Sequence, residues 1–472
     1  MEKTFKLNNP IYYLQCLYSI VLNFLFKFVG KIPEKVRDII LWLSMLLLWV
    51  ICFFRESLVF TKLHLKFNLT EWMLIGTAVL LLIILFSIKQ PLIKMQINKL
   101  FCFFYFLLPI LIIFASFFHE LGRGMRPFAL ILLFIFPALY YVWGCRGDYE
   151  KIFRMLACSI VIVGTVLILL NNAYLVYSKQ DLTISEVFVW RYAGLFRNPN
   201  ALGVTLIPIF TGLFYLFYTE KRKSFLWLVT ILILASFLLL FTGSRTALLA
   251  VVAQFFVFII FIINKNKGQN AKGSSKKSTT RAVVIILVVL IMFATLFTLV
   301  SLSRSPEHPQ IKMVFLEHLV PDFNRSLTDL SSGRLDIWKS YISELTLLGK
   351  NPAENPIYLG DAQMSAHNTS IEIAFRAGIP AGICFTILLL IALFFAFRCM
   401  GRSRSIEKYM VFPALAISAY FFPAMLEVPF MAFSAYSNYV LCFYIAISVL
   451  MFKSNAPQIE IGEKQDAETI DS

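Results

Sequence analysis

Arg191-Tyr-Ala-Gly-Leu-Phe-Arg-Asn-Pro-Asn200 runs straight into the apolar stretch 201–218, and the fold of the whole chain can be read from that junction. Asn198 before Pro199 is a favoured N-cap and first-turn pair. The junction therefore predicts a helix that starts at a polar boundary and then enters a run close to the ~20 residues that cross a hydrocarbon core. Two further junctions have the same form. Thr242-Gly-Ser-Arg245 precedes 246–264, with Ser244 as the expected cap, and Ala366-His-Asn-Thr-Ser-Ile-Glu372 leads into 370–397, with Thr369-Ser-Ile-Glu372 as a capping box. Each junction carries an arginine or a histidine.

Composition extends this reading to the rest of the chain. Hydrophobic residues make up 59% and charged ones 15%, with a mean hydropathy of +0.76; an ordinary soluble domain carries about a quarter charged residues. Apolar runs of spanning length fall near 38–54, 71–88, 100–118, 127–144, 155–177, 201–218, 225–241, 246–264, 282–303, 370–397, 409–425 and 432–452. The expectation is an all-α integral membrane protein with about twelve transmembrane helices and one large extracytoplasmic loop. In order these are a cytoplasmic or interfacial N-terminal segment (1–37), nine spans (38–303), the loop (304–369), three spans (370–452) and a cytoplasmic, acidic, disordered tail (453–472). The stretch 11–29 is amphipathic and interrupted by Asn23 and Lys27, so it reads as an interfacial helix. The first long apolar run begins too far along the chain to suggest a cleavable signal peptide.

Orientation follows from the basic residues. Lys27, Lys31, Lys35 and Arg37, then Lys89 and Lys94, Arg146 to Arg154, Lys221-Arg-Lys223, Lys265 to Arg281 and Arg398 to Lys408 all fall on one side, which is cytoplasmic by the positive-inside rule. Arg55, Lys62 and Lys66 are the discord, in the first outside loop. The net charge of +16 is thus accounted for by topology, with no need for a nucleic-acid partner. The eight cysteines are scattered without a CxxC pair, so packing is their expected role. Within the loop, Trp338, Tyr341, Ile342 and Leu345 have the spacing of an amphipathic helix, which Ser332 would cap and Gly349 would end.

By this topology the helices that start at the three junctions run from outside to inside. Their free N–H groups and positive dipole ends open on the extracytoplasmic face. Arg191, Arg197 and Arg245 at those ends add guanidinium forks suited to phosphate oxygens. Taken singly, each arginine is as well explained as a snorkelling anchor, and a histidine in a polar loop as merely solvated. His367 differs from His64, His119, His308 and His318 in standing just before a helix start, where the positive end favours the neutral imidazole that can act as a base. Glu372 and Asp361 are candidates to orient it, although Glu372 is equally the capping-box partner.

The motifs RYAGLFRNPNALG (191–203), TGSRTALLA (242–250) and GRLDIW (333–338), followed by Gly349, Gly360, His367-Asn368, Gly378 and Gly382, resemble the O-antigen ligase and O-antigen polymerase superfamily over residues 190–395. The resemblance implies a bacterial inner-membrane glycosyltransferase that works at the extracytoplasmic face without a cofactor or metal. It would take glycan from an undecaprenyl-diphosphate-linked oligosaccharide donor to a glycan acceptor in the synthesis of O-antigen, capsule or another surface polysaccharide. Its further partners would be membrane lipids and a chain-length regulator or other polysaccharide-assembly proteins. It implies diphosphate contacts for Arg191 and Arg245 and the role of catalytic base for His367. Arg197, Asn198, Asn200, Ser244, Asn368 and Arg334 are the further substrate-binding candidates. Thr246 departs from the pattern, standing where a glycine is common, and the loop before His367 is long. A repeat-unit polymerase is favoured over a ligase that transfers glycan to a lipid A core. A lipid-linked oligosaccharide flippase is the reading from another class, but transporters carry ionisable residues near mid-membrane, whereas the charges here sit at span ends.

Overall fold

The computed structural model describes residues 10–63, 68–89, 96–122, 124–178, 191–196, 198–220, 225–270, 333–359, 362–401, 407–434 and 438–453. Among these the fold is all-α, with strand pairing confined to two-residue ladders and one isolated bridge. The helices used below are α1 (Pro10–Val29), α2 (Glu34–Phe54), α3 (Leu69–Ser87), α4 (Lys99–Ala115), α5 (Met125–Arg146), α6 (Tyr149–Ser178), α7 (Pro199–Thr219), α8 (Phe225–Thr242), α9 (Arg245–Asn270), α10 (Arg334–Ser343), α11 (Thr369–Ala377), α12 (Ile379–Gly401), α13 (Val411–Leu426) and α14 (Asn438–Ala446).

Nine described helices are long and apolar enough to cross a membrane, and three shorter apolar helices accompany them over Tyr13–Val29, Lys99–Ala115 and Asn438–Met451. The protein is a multi-pass membrane protein. Eleven of the apolar runs read from the sequence correspond to described helices, and the run at 282–303 lies outside the described residues. One run is corrected. The stretch 370–397 is not a single helix, because Gly378 turns at φ +94°, where a Cβ would meet the Leu347 carbonyl oxygen at 2.1 Å. The short α11 precedes the span α12.

Helix α7 is buried along its length, packed by α6, α8, α9, α13 and α14. Gly203 permits a close approach to the start of α9: a Cβ there would meet Ser244 Cβ at 2.7 Å and Thr242 Oγ1 at 3.0 Å. A polar link deeper in the bundle holds α9 to α7, with Gln254 donating to the Ile207 carbonyl at 3.3 Å and accepting from Thr211 at 2.9 Å. Such satisfied side-chain bonds tie spans together where hydrophobic exclusion from water contributes little.

The N-terminal helix α1 lies against α5. A wide π turn over Ile131–Ile135 interrupts α5, and tyrosines from two neighbours bond its carbonyls: Tyr18 to Phe134 at 2.9 Å and Tyr105 to Leu132 at 3.0 Å.

Charges at the end where α2 begins form a closed set. Arg146, with a side chain 1% exposed, pairs with Asp38 at 3.0 Å and Asp148 at 2.7 Å; Lys151 meets Asp38, and Lys89 meets Glu34 and Asp148. All eight cysteines are free thiols.

Candidate functional site

The segment from Arg191 to Phe196 is held from three sides. The Tyr192 N–H donates to the Phe241 carbonyl at 2.8 Å, and the Leu195 N–H donates to buried Asn171 Oδ1 at 2.9 Å. The Leu195 carbonyl accepts from the Leu58 N–H at 2.7 Å, and Phe196 bridges to Ser57. This stitching places Arg191 beside two helix ends. Its Nε donates to the Thr242 carbonyl at 2.8 Å, and its terminal nitrogen to the side chain of Asn200. Both acceptors are neutral. Burial and then the nearby charge of Arg245 hold the Arg191 guanidinium below its ordinary pKa.

Helix α7 begins as its sequence predicts. Asn198 Oδ1 accepts from the Asn200 N–H at 2.8 Å, and Pro199 occupies the first turn. Arg197 lies outside the described residues. The chain leaves α8 at Thr242, turns through Gly243 at φ +60° and starts α9 at Arg245. Buried Ser244 and Thr246 flank that arginine.

The third junction is built differently from the capping box expected of it. Asn368, not Thr369, caps α11: its Oδ1 accepts from the Ile371 N–H at 3.1 Å, while its amide donates to the Met425 carbonyl at 3.3 Å. Glu372 accepts from the Ala366 N–H at 3.0 Å and pairs with Arg376, so it does not orient His367. Asp361 lies outside the described residues. Thr369 Oγ1 donates to the Glu427 carbonyl at 3.1 Å, which ties the start of α11 to the end of α13.

His367 takes φ +45°, one of two described non-glycine residues with positive φ. Residues held in this region cluster at sites where surrounding bonds over-determine them. Its Nδ1 stands 3.1 Å from Glu427 Oε2. The other carboxylate oxygen accepts from Arg334 at 3.1 Å and from Thr246 at 3.4 Å. Glu427 was not picked out from the sequence. The signal that could have found it is its isolation, since it is the one acidic residue between 411 and 452.

The loop helix α10 delivers Arg334. It starts at Gly333 (φ +77°) and ends at Ser343, short of Gly349, which lies in the following turn; Ser332 is outside the described residues. Of the expected face, Tyr341 is buried and Leu345 packs beside it, whereas Ile342 is exposed and Ile337 takes the second buried position. Ile337 and Tyr341 pack with Ala366 and Phe375, and Tyr341 bonds the Met364 carbonyl at 2.9 Å. This small core fixes the chain just before His367.

These pieces surround one cavity of about 330 Å³. Asn198, Asn200 and Val204 of α7 line it, with Ser244 and Thr246 at the start of α9 and Ser365 and His367 before α11. Glu427, Val428, Pro429 and Tyr439 close the far wall. Four helices, α7, α9, α11 and α14, begin around it and α13 ends there, so three sequence junctions are joined in space and a fourth helix start is added. Asn198, Asn200, Ser244 and His367 line it directly. Arg191 and Arg334 reach it through Asn200 and Glu427, and Arg245 is close enough for its charge to act on Arg191.

Residues 229–386 match the family model described as O-antigen ligase. The match supports the O-antigen ligase and polymerase superfamily and a ligase- or polymerase-type function in polysaccharide assembly. It takes in Arg245, Arg334 and His367; Arg191 and Glu427 join them through the fold, from outside the matched stretch. No curated protein matches the chain.

Proposed function

We propose that the protein is a glycosyltransferase that polymerises repeat units from an undecaprenyl-diphosphate-linked donor in the bacterial inner membrane, with its cavity on the extracytoplasmic face. The observation that carries this is one cavity lined by His367 and by helix starts from three separate sequence motifs, with Arg191 bonded to the lining residue Asn200 and to the Thr242 carbonyl. Helix N-termini and guanidinium groups both favour a diphosphate. In this reading Arg191, Arg197 and Arg245 hold the donor diphosphate, with Asn198, Asn200 and Ser244 beside it, and Asn368 and Arg334 shape the acceptor side. His367 takes the proton from an acceptor hydroxyl. That oxygen forms a bond to the anomeric carbon as the bond from that carbon to the diphosphate oxygen breaks, and the negative charge leaves on the lipid diphosphate.

The test is transfer by purified protein from a synthetic polyprenyl-diphosphate glycan. His367→Ala and His367→Gln are both expected to lose about 10²–10⁴-fold in rate with donor binding largely kept, because glutamine cannot accept the proton. Robust transfer by either variant overturns the reading. In cells, loss of a polymerase leaves single units on the acceptor, whereas loss of a ligase leaves long lipid-linked chains unattached.

A further inference from the structure

We infer that Glu427 is the positioning residue of the site, fixing the tautomer and aim of His367; the inference rests on the role of His367 proposed above. Its two carboxylate oxygens divide their work. Oε2 faces His367 Nδ1 at 3.1 Å, while Oε1 takes Arg334 at 3.1 Å and Thr246 at 3.4 Å. Three separate segments of the chain therefore converge on one side chain. A carboxylate is an acceptor only, so the imidazole nitrogen facing it must carry the proton. With Nδ1–H donating to Glu427, Nε2 is the nitrogen left with a free lone pair, and it is the one able to accept a proton from a sugar hydroxyl. As Nε2 gains that proton, the imidazolium that forms faces a carboxylate already in place, so no group has to reorganise.

The anchoring matters as much as the contact. Glu427 follows the last residue of α13, and its own carbonyl is held by Thr369 Oγ1 at 3.1 Å. Backbone and side chain are thus fixed from α11, α9 and α10 together. Arg334 balances the carboxylate charge from the side away from the histidine. Thr246 gains a purpose here: a glycine at this position, the residue common in the family pattern, would remove one of the two holds on Oε1.

Kinetics of the full-length protein in lipid nanodiscs, with a polyprenyl-diphosphate-linked glycan and its acceptor, tests this. Glu427→Gln is expected to lower kcat on the order of 10²-fold with the donor KM within about threefold of wild type. In the His367→Ala background the same change should cost nothing further, since residues that act as a unit are non-additive. Near-normal kcat, a raised KM with kcat kept, or a full additional loss in the double variant overturns the inference. Glu427→Asp retains the charge but withdraws the carboxylate by one methylene. If the glutamine variant does not fold, the aspartate variant carries the test, with a kcat loss of about tenfold expected and unchanged kcat overturning. Active His367→Ala would instead remove the functional reading itself, so the two failures are distinct.

Discussion

Arg146 and Arg191, at opposite ends of the helix bundle, are held in opposite ways. Where α2 begins, Arg146, Lys151 and Lys89 are met by Asp38, Asp148 and Glu34, and the set closes on itself. Where α2 stops, the chain from Ser57 leads to the Arg191 segment, and Arg191 bonds a carbonyl and an amide oxygen among the described residues. Neutral acceptors fix the direction of a guanidinium without cancelling its charge. Arg146 thus belongs to an ionic clasp between helices, whereas the charge of Arg191 is not cancelled by either of these acceptors. The contrast is between these two side chains and not between whole ends: Arg334 pairs with Glu427 beside the cavity, and Arg37 at the start of α2 donates to the neutral Ile88 carbonyl at 3.0 Å.

The contrast breaks most sharply at the arginines of the cavity. Arg191→Lys and Arg245→Lys retain charge but lose the planar fork, and each is expected to lower transfer on the order of 10²-fold if it grips a diphosphate. The loss should appear with no matching drop in thermal stability. Near-normal transfer in both lysine variants would make this end equivalent to the other, a place of anchors only.

Much of the fold was legible because hydropathy reports spans directly: a run such as 201–218 has no stable alternative to a helix in hydrocarbon. The helix start at Asn198-Pro199 was legible for the same local reason, since that pair acts within a few residues of itself; at the second start the helix begins where expected, after a turn through Gly243, with the Ser244 N–H donating to Thr242 Oγ1. The third was misread at its cap. Thr369 and Glu372 have the right spacing for a capping box, but the helix starts one residue earlier: Asn368 Oδ1 takes the Ile371 N–H, the Glu372 N–H bonds the Asn368 carbonyl, and the Glu372 side chain goes to Ala366 and Arg376. Glu427 stands 60 residues from its histidine, and no local pattern can express a pairing made by the packing of α13 against α11. The break at Gly378 was hidden because α11 and α12 together read as one apolar run.

At the clasp the expected effect is on stability alone. Arg146→Met removes the buried guanidinium that joins Asp38 to Asp148, leaving Lys151 to the first and Lys89 to the second. A fully buried pair broken in this way costs 3–5 kcal/mol, but these carboxylates are 21% and 32% exposed, so about 1–3 kcal/mol is expected. Thermal unfolding in detergent should show the loss, with transfer per folded molecule unchanged. A drop in specific activity with stability intact would place function at this end too.

The smallest effect tests whether burial, and not mere pairing, makes the clasp. Arg154 meets Glu220 with its Nε at 2.5 Å, a geometry as close as any in the clasp, yet the Arg154 side chain is 59% exposed where that of Arg146 is 1%. Glu220 is only 16% exposed, so the difference lies in the cation: water and salt reach the Arg154 guanidinium, and ordering its long side chain offsets much of the attraction. Arg154→Gln should therefore cost less than about 1 kcal/mol, and the difference from wild type should shrink as ionic strength rises. The Arg146 variant should keep most of its deficit at the same salt concentration, because the guanidinium it loses is 1% exposed and beyond the reach of salt. Equal losses in the two variants, or equal salt sensitivity, would mean that the shape of the ion pairs and not their shielding holds the helices together at that end.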